Sequence, residues 1–471
     1  PLWHDNSVVH AAWSPDESLI LTASVDGTAR VWDAATGEEL LPIVRHDGEI
    51  NQATWSPDGK LFVTASLDGT ARVWDAIGEE VLPPLSHDAE IWQATWSADG
   101  SRILTASDDG TVRVWDAASR TELISPLQHD DIVRQATWSA DESRILTASD
   151  DGAAHLWDAG TGEELLPPLQ HGEDLRQAIW NRDESRILTS GGDGTARVWD
   201  AATGEELLPP LRHEAWVNHA AWNADESQIL TASDDGSARV WNAATGAEIL
   251  YLEHDDWVNH AAWNSDESLI LTASDDQSAH VWDARTGEEK LAPLEHNSYV
   301  PEAAWSPDGK FIATASANAV RLWDAASGEQ VSLPLQHEGN VSQVTWSSDG
   351  SRILTASTDG TATVWDAATG RELLSHVGDG SEVAQAQWNH DESQILLTTG
   401  SGQVIISYTA MDALQQAVCS RLRRNMTWNE WRRFSGQRPY RCTCSNLPVH
   451  ASVLETEGAD IAEDTVCAQS P

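Results

Sequence analysis

Apolar residues recur along this chain in short runs broken by polar turns, and the whole series of runs repeats. Residues 87–127 show one unit. A polar start, His87-Asp88-Ala89-Glu90, leads into Ile91 to Trp96, which reads as a strand, and Ser97-Ala98-Asp99-Gly100 reads as a turn. Arg102 to Ser107, rich in Ile, Leu and Thr, predicts a second strand. Asp108-Asp109-Gly110 predicts a tight hairpin, because glycine supplies the positive φ such turns need. Thr111 to Trp115 and Glu122 to Leu127 predict third and fourth strands around a turn from Ala117 to Thr121. Four short strands with turn signals roughly ten residues apart predict one small antiparallel sheet.

The third predicted strand ends in tryptophan at Trp32, Trp74, Trp115, Trp157, Trp199, Trp241, Trp282, Trp323 and Trp365, at spacings of 41 or 42 residues. Asp follows each of them except Trp241, which precedes Asn242. A period of this length marks units that bury their faces by stacking on copies of themselves. Four-stranded sheets arranged radially make a propeller, which leaves only short, protected edges. The expected fold class is therefore all-β, with about ten four-stranded antiparallel blades over residues 1–408.

The opening His, the Asp-Gly hairpin and the closing Trp-Asp resemble the WD40 repeat. That resemblance implies a hydrogen-bonded chain of His, Ser or Thr, Asp and Trp across each blade. Carried over by position, the sets are His46, Ser66, Asp68, Trp74; His87, Ser107, Asp109, Trp115; and His129, Ser149, Asp151, Trp157. The set returns as His213, Ser233, Asp235, Trp241 and as His337, Ser357, Asp359, Trp365. Ser, His and Asp together suggest catalysis, but an enzyme does not need the same site in almost every blade. The set reads instead as a way of satisfying buried polar groups that are costly unpaired. No catalytic residue and no cofactor are expected. Three blades depart from the pattern. The fifth has Gly191-Gly192-Asp193, so its hydroxyl is expected to be missing or displaced to Ser190; the seventh has Asp276-Gln277 without the hairpin glycine; the eighth has Ala317-Asn318-Ala319.

A second Trp sits in each first strand, from Trp13 and Trp55 to Trp346 and Trp388, giving ten first strands against nine closing Trp residues. In the tenth unit Asp379 replaces the opening His and Ser407-Tyr408 stands in place of Trp-Asp, as in a terminal cap. One ten-blade ring, seven blades plus a partial second ring, and an open arc all fit the pattern. Pro1-Leu2-Trp3-His4 aligns with Pro210-Leu211-Arg212-His213, so the chain starts inside a repeat and without Met. The expectation is a fragment whose last outer strand and further domains lie upstream.

Apolar residues make up 40% of the chain and Trp numbers 25, enough for a large core. No apolar run reaches the roughly 18 residues of a membrane helix. Four Cys in 471 residues do not make a disulfide scaffold, so a reducing cytoplasm is expected. The net charge of −47 argues against nucleic acid, whose phosphates need Lys and Arg to neutralise them, and against an acidic membrane surface. The acidity serves solubility, or steers a cationic partner.

Comparison among the repeats finds one variable stretch, between the opening His and the first-strand Trp. Its last position carries Val9, Asn51, Trp92, Arg134, Arg176, Asn218, Asn259, Pro301 and Ser342; two positions earlier stand Trp216, Trp257 and Tyr299. The resemblance places this stretch on the rim of the central channel. Aromatic and Arg side chains on a surface are binding anchors, so Asn51, Trp92, Arg134, Arg176, Trp216, Asn218, Trp257, Asn259 and Tyr299 are the candidate site for a protein or peptide. His10, His219 and His260 occupy equivalent blade positions without a short ligand spacing, and no metal is expected there.

After Tyr408 the period stops. Met411 to Arg424 predicts a helix with Leu414, Val418 and Leu422 on one face, and Thr427-Trp428-Asn429-Glu430 a capping box opening a second. Residues 409–448 thus read as a short helical, Arg-rich tail, and 449–471 as disordered. The run from Ala417 to Trp431 and from Pro439 to Pro448 is similar to the tail that follows repeat arrays in bacterial multidomain signalling proteins. In those, a C-terminal propeller is coupled to an upstream switch ATPase, kinase or protease-like domain. Cys442, Cys444, Cys419 and Cys467 lack the usual zinc spacing; zinc, a Cys419–Cys444 contact and inert thiols all remain open. The leading expectation is a non-enzymatic interaction scaffold or sensor. A ligand-free structural or autoinhibitory propeller and an enzyme with a channel active site are the alternatives.

Overall fold

The computed structural model describes residues 2–40, 43–75, 84–119, 121–377, 381–401 and 403–409. Apart from Thr409, the predicted helical tail and disordered end lie outside the described residues, as do all four Cys. The described residues form ten four-stranded antiparallel sheets, each numbered here as a blade in chain order. In blade 3 the strands are Ile91–Trp96, Arg102–Ser107, Thr111–Asp116 and Leu127–Gln128, with Ile103 opposite Trp115 and Thr105 opposite Arg113. The hairpin between the second and third strands needs its glycine. Gly110 sits at φ 73°, and a Cβ there would lie 2.9 Å from the His129 carbonyl oxygen of the next blade.

Fourth strands are shorter than the apolar pattern predicts. Blade 3 has two residues, Leu127–Gln128, where Glu122 to Leu127 was expected, preceded by an isolated bridge between Trp115 and Glu122. Proline is the reason: Pro126, Pro168, Pro210, Pro293 and Pro334 stand just before the fourth strands of blades 3, 4, 5, 7 and 8, and a residue without an N–H cannot continue a ladder. Blades 6 and 9 lack that proline, and their fourth strands run six residues each, Glu248–Glu253 and Glu372–Val377.

The core lies between blades. Leu104, Val112, Val114 and Leu127 of blade 3 pack against Val133, Ala136, Ile145 and Trp157 of blade 4, and equivalent clusters recur around the array. Each fully buried Leu or Ile contributes about 1.5–3 kcal/mol, so a blade is stable only with a neighbour. Among the described residues, a glutamine side-chain clamp reinforces six of the junctions. Gln93 Oε1 accepts the Ala136 N–H at 3.1 Å, and Gln52, Gln135, Gln177 and Gln343 do the same for their next blades.

Contacts divide the chain into two units, Pro1–Gln387 with Leu396–Ile406, and Trp388–Ile395 with Ser407–Pro471. The first unit closes on itself. Ala11 N–H donates to Gln385 Oε1 at 3.2 Å, the Ser7 hydroxyl donates to the Gly400 carbonyl, and Val8 and Ile20 pack with Leu396 and Val404. Leu2 pairs with Val404 and Trp3 with Gln403, so residues 2–3 supply the outer strand of blade 10. The expectation that this strand comes from an upstream segment is thereby corrected, and one ten-blade propeller replaces the seven-plus-three and open-arc alternatives. In the second unit, Asn389 Nδ2 donates to Asp391 Oδ1 at 2.7 Å and the Thr409 hydroxyl to the Glu392 carbonyl at 2.6 Å.

Candidate functional site

Two sets of side chains carry chemistry: a buried relay inside blades 1 to 9, and an exposed rim at the mouths of the first strands. In blade 2 the Trp74 indole N–H donates to Thr64 Oγ1 at 3.0 Å, His46 Nε2 lies 2.7 Å from the same oxygen, and His46 Nδ1 lies 3.0 Å from Asp68 Oδ2. Trp115, Thr105, His87 and Asp109 repeat this, as do Trp241, Thr231, His213 and Asp235. In blade 9, Trp365, Thr355 and His337 do so with Asp359 3.4 Å from the ring. In blade 4 the Trp157 indole N–H meets Thr147, and Thr147 meets His129.

The hydroxyl in the relay is thus threonine, and the assignment of Ser66, Ser107, Ser149, Ser233 and Ser357 to it is corrected. These serines end their strands and are consumed by the following turn: Ser107 Oγ accepts the Asp109 N–H at 3.1 Å and donates to the Ala89 carbonyl at 3.3 Å. Ser66, Ser149, Ser233 and Ser357 likewise accept the N–H of Asp68, Asp151, Asp235 and Asp359. Blade 5 keeps its hydroxyl, since Thr189 takes both Trp199 and His171, against the expectation that it was missing. Burial pushes the Asp68, Asp109 and Asp235 carboxyls up. Hydrogen bonds from the adjoining His and from Thr70, Thr111 or Ser237 outweigh it and hold them well below the usual carboxylate range. The relay threonines Thr64, Thr105, Thr147, Thr189, Thr231 and Thr355 are fully buried, so the relay presents no accessible nucleophile.

The rim is built by β-bulges. In eight blades the register between first and second strands slips by one residue, between Ile91 and Gln93 in blade 3 and at equivalent places elsewhere. The skipped residue is the variable one: Val9, Asn51, Trp92, Arg134, Arg176, Asn218, Asn259 or Ser342. A bulge leaves one residue out of the ladder and re-aims its side chain, so variation there leaves the blade intact. Blade 8 has Pro301 and no bulge; its first strand starts at Glu302.

Several rim side chains are anchored by an acid 16 residues further on, at the head of the same blade's hairpin. Trp92 Nε1 donates to Asp108 at 2.5 Å, Arg134 Nη2 to Asp150 at 2.6 Å, Asn218 to Asp234 at 2.5 Å and Asn259 to Asp275 at 2.7 Å. Sequence comparison missed these acids, although that hairpin position also varies, with Val25, Leu67, Gly192 and Thr358 in other blades. Asn51 Nδ2 reaches the Ile91 carbonyl of the next blade at 3.4 Å. The side chain of Arg176 lies outside the described residues.

Trp216, Trp257 and Tyr299 stand on the consecutive blades 6, 7 and 8 and are 41%, 52% and 53% exposed; Trp92, 41% exposed, stands apart on blade 3. A cleft of about 340 Å³ is lined by Asn259, His260, Pro301, Glu302, Ser342 and Gln343, from blades 7, 8 and 9. His260 and Glu302 here replace the clamping Gln. The His219 and His260 rings lie 5.1 Å apart; burial and the neighbouring imidazole push His219 down to about 4, and burial pushes His260 down and Glu302 up.

The chain matches two family models. One is described as the IFT122 first beta-propeller and matches residues 2–242; the other, the WD domain, G-beta repeat, matches residues 248–283, 289–324 and 328–366. Among solved structures it is similar to that of the computationally designed Ika8 protein, at 20% identity and a TM-score of 0.50, covering 86% of this chain and 97% of the other. That likeness concerns the fold alone. No curated protein matches the chain.

Proposed function

The chain belongs to the WD-repeat β-propeller family, and from that premise we infer that it is a non-enzymatic scaffold that binds a protein or peptide through the bulge-built rim. Propellers of this family generally mediate protein–protein interaction. The observation that carries the reading is a stretch that varies while most of the repeat is held: its bulged residue is re-aimed, and two positions before Asn218, Asn259 and Pro301 the blades 6 to 8 expose the large aromatics Trp216, Trp257 and Tyr299. Trp and Tyr anchors in a polar surround are the composition of binding hot spots.

The ligand chemistry that fits is a cationic segment. Exposed rings accept Lys or Arg on their faces, and Asp234 and Asp275 supply carboxylates on the same two blades as Trp216 and Trp257. The net charge of −47 adds long-range attraction for such a partner. The resemblance of residues 417–448 to the tails of bacterial signalling proteins supports a place at the end of a cytoplasmic switch protein, as its sensing part.

The test is capture from lysate by the parent chain and by a variant with Trp92, Trp216, Trp257 and Tyr299 changed to Ala, after both are shown to melt alike. A protein taken by the parent and lost by the variant, with capture weakening as salt screens the charge, is the expected result. Identical captures by the two would overturn the reading.

A further inference from the structure

Blade 4 departs from its neighbours at two positions, and the departures meet in one place. In blades 2, 3, 5 and 6 a hydroxyl from Thr70, Thr111, Thr195 or Ser237 lies between the relay His Nδ1 and the hairpin Asp. Two residues on, Arg113, Arg197 and Arg239 stand between two carboxylates, the hairpin Asp and a Glu: Arg239 lies 3.0 Å from Asp235 and 3.2 Å from Glu248. Blade 4 has Ala153 in place of the hydroxyl and His155 in place of the arginine.

The replacement leaves buried nitrogens facing one carboxylate. His129 Nδ1 and His155 Nε2 are both buried without a hydrogen-bond partner. They lie 3.5 Å and 3.7 Å from Asp151 Oδ2, and the three atoms fall within 4.8 Å of one another. The His129 side chain is fully buried, and His155 is only 8% exposed. The other ring nitrogens are already committed. His155 Nδ1 lies 2.8 Å from Glu164 Oε1 and His129 Nε2 3.0 Å from Thr147 Oγ1. A carboxylate on the far nitrogen fixes the tautomer that turns the lone pair of Nε2 inward, as in metal-ligating histidines.

We propose that His129 Nδ1, Asp151 Oδ2 and His155 Nε2 form a site for one divalent transition-metal ion, of which zinc is the best-fitting chemistry. Zinc–nitrogen bonds of about 2.0–2.1 Å in a tetrahedron set ligand edges of about 3.3–3.4 Å, and small side-chain shifts bring 3.5 Å and 3.7 Å to that value. Two imidazoles disfavour calcium and magnesium, which take oxygen ligands. Charge points the same way: the arginine that neutralises the Asp–Glu pair elsewhere is gone, and a dication restores that charge between Asp151 and Glu164. Blade 7 also carries His254, Asp276 and His280 together. There Ser278 keeps its hydroxyl on Asp276, and His254 Nδ1 is bonded to Asp276 at 2.7 Å, so that set is closed by hydrogen bonds.

The test uses the full chain, stripped with chelator and with its thiols alkylated, so that Cys419, Cys442, Cys444 and Cys467 cannot ligate. It is titrated with Co²⁺ and read by visible absorption, beside an Ala153→Thr/His155→Arg double variant that writes the ordinary blade residues into blade 4. The expected result is the intense absorption of tetrahedral cobalt at one equivalent, displaced by zinc, with at least tenfold weaker binding and loss of that band in the variant. A His155→Gln variant serves the same comparison if the double variant does not fold. Weak octahedral cobalt binding alone, or equal binding by parent and variant, would overturn the proposal.

Discussion

At the scale of the residue, one threonine hydroxyl joins the outer and inner parts of blades 1 to 9. Thr105 accepts from the Trp115 indole and meets His87, and all three are buried. Thr105→Val leaves an indole N–H and an imidazole nitrogen without partners, a cost of about 1–3 kcal/mol. Ser107→Ala removes a turn contact at the strand end and costs less, so urea midpoints should fall in the order parent, Ser107→Ala, Thr105→Val. The repeat alone could not distinguish these two residues. They stand two apart on one strand, so they share a face, and both recur in most blades. Pairing register decides between them, and no sequence pattern carries it.

His296 adds a pH dependence at the same scale. Blade 8 has Ala317-Asn318-Ala319 where an Asp normally faces this ring, and burial, helped by Arg321, pushes His296 from 6.5 down to about 3. Between those values the unfolded chain holds a proton that the native chain does not. Stability therefore falls as pH drops from 6.5 towards 3, by up to about 1.4 kcal/mol per pH unit, and is unaffected above that window. A His296→Gln variant should show a shallower loss between pH 6.5 and 4 in urea melts. Equal slopes for the two chains would refute this assignment.

At the scale of the element, hairpins and edge strands show where local sequence is decisive. Ala317 holds φ 46° and Gln277 φ 75° in the two hairpins that lack the repeat's glycine. A left-handed backbone costs a residue with a Cβ roughly 1–2 kcal/mol, so Ala317→Gly should raise the thermal midpoint, whereas Gly110→Ala should lower it. First, second and third strands were legible because their apolar runs are bounded by turn residues. The fourth strands were overextended because their apolar residues dominate the reading, although the prolines that interrupt the ladder were in plain view. The bulges, which make the rim, left no signal beyond the variability of the skipped residue.

At the scale of the whole molecule, closely similar blades hold a ring whose rim varies most from blade to blade. The ten first strands were countable in the sequence from Trp13 to Trp388. That residues 2–3 complete blade 10 was not: their alignment with Leu211-Arg212 marks an outer strand but not the blade it joins. A rim that varies on a fixed array separates folding from recognition, so the four-alanine rim variant should melt close to the parent while losing its capture. Substitutions at exposed side chains away from the core change stability little.

Photocrosslinking in cells tests the central claim most directly. A benzoylphenylalanine placed in turn at Trp92, Trp257, Tyr299 and the exposed Leu207 on the outer edge of blade 5 reports what each position touches. The account predicts one shared protein adduct from Trp257 and Tyr299, on adjacent blades, and none of that adduct from Leu207. Adducts to that protein from Leu207, with the rim positions silent, would contradict it.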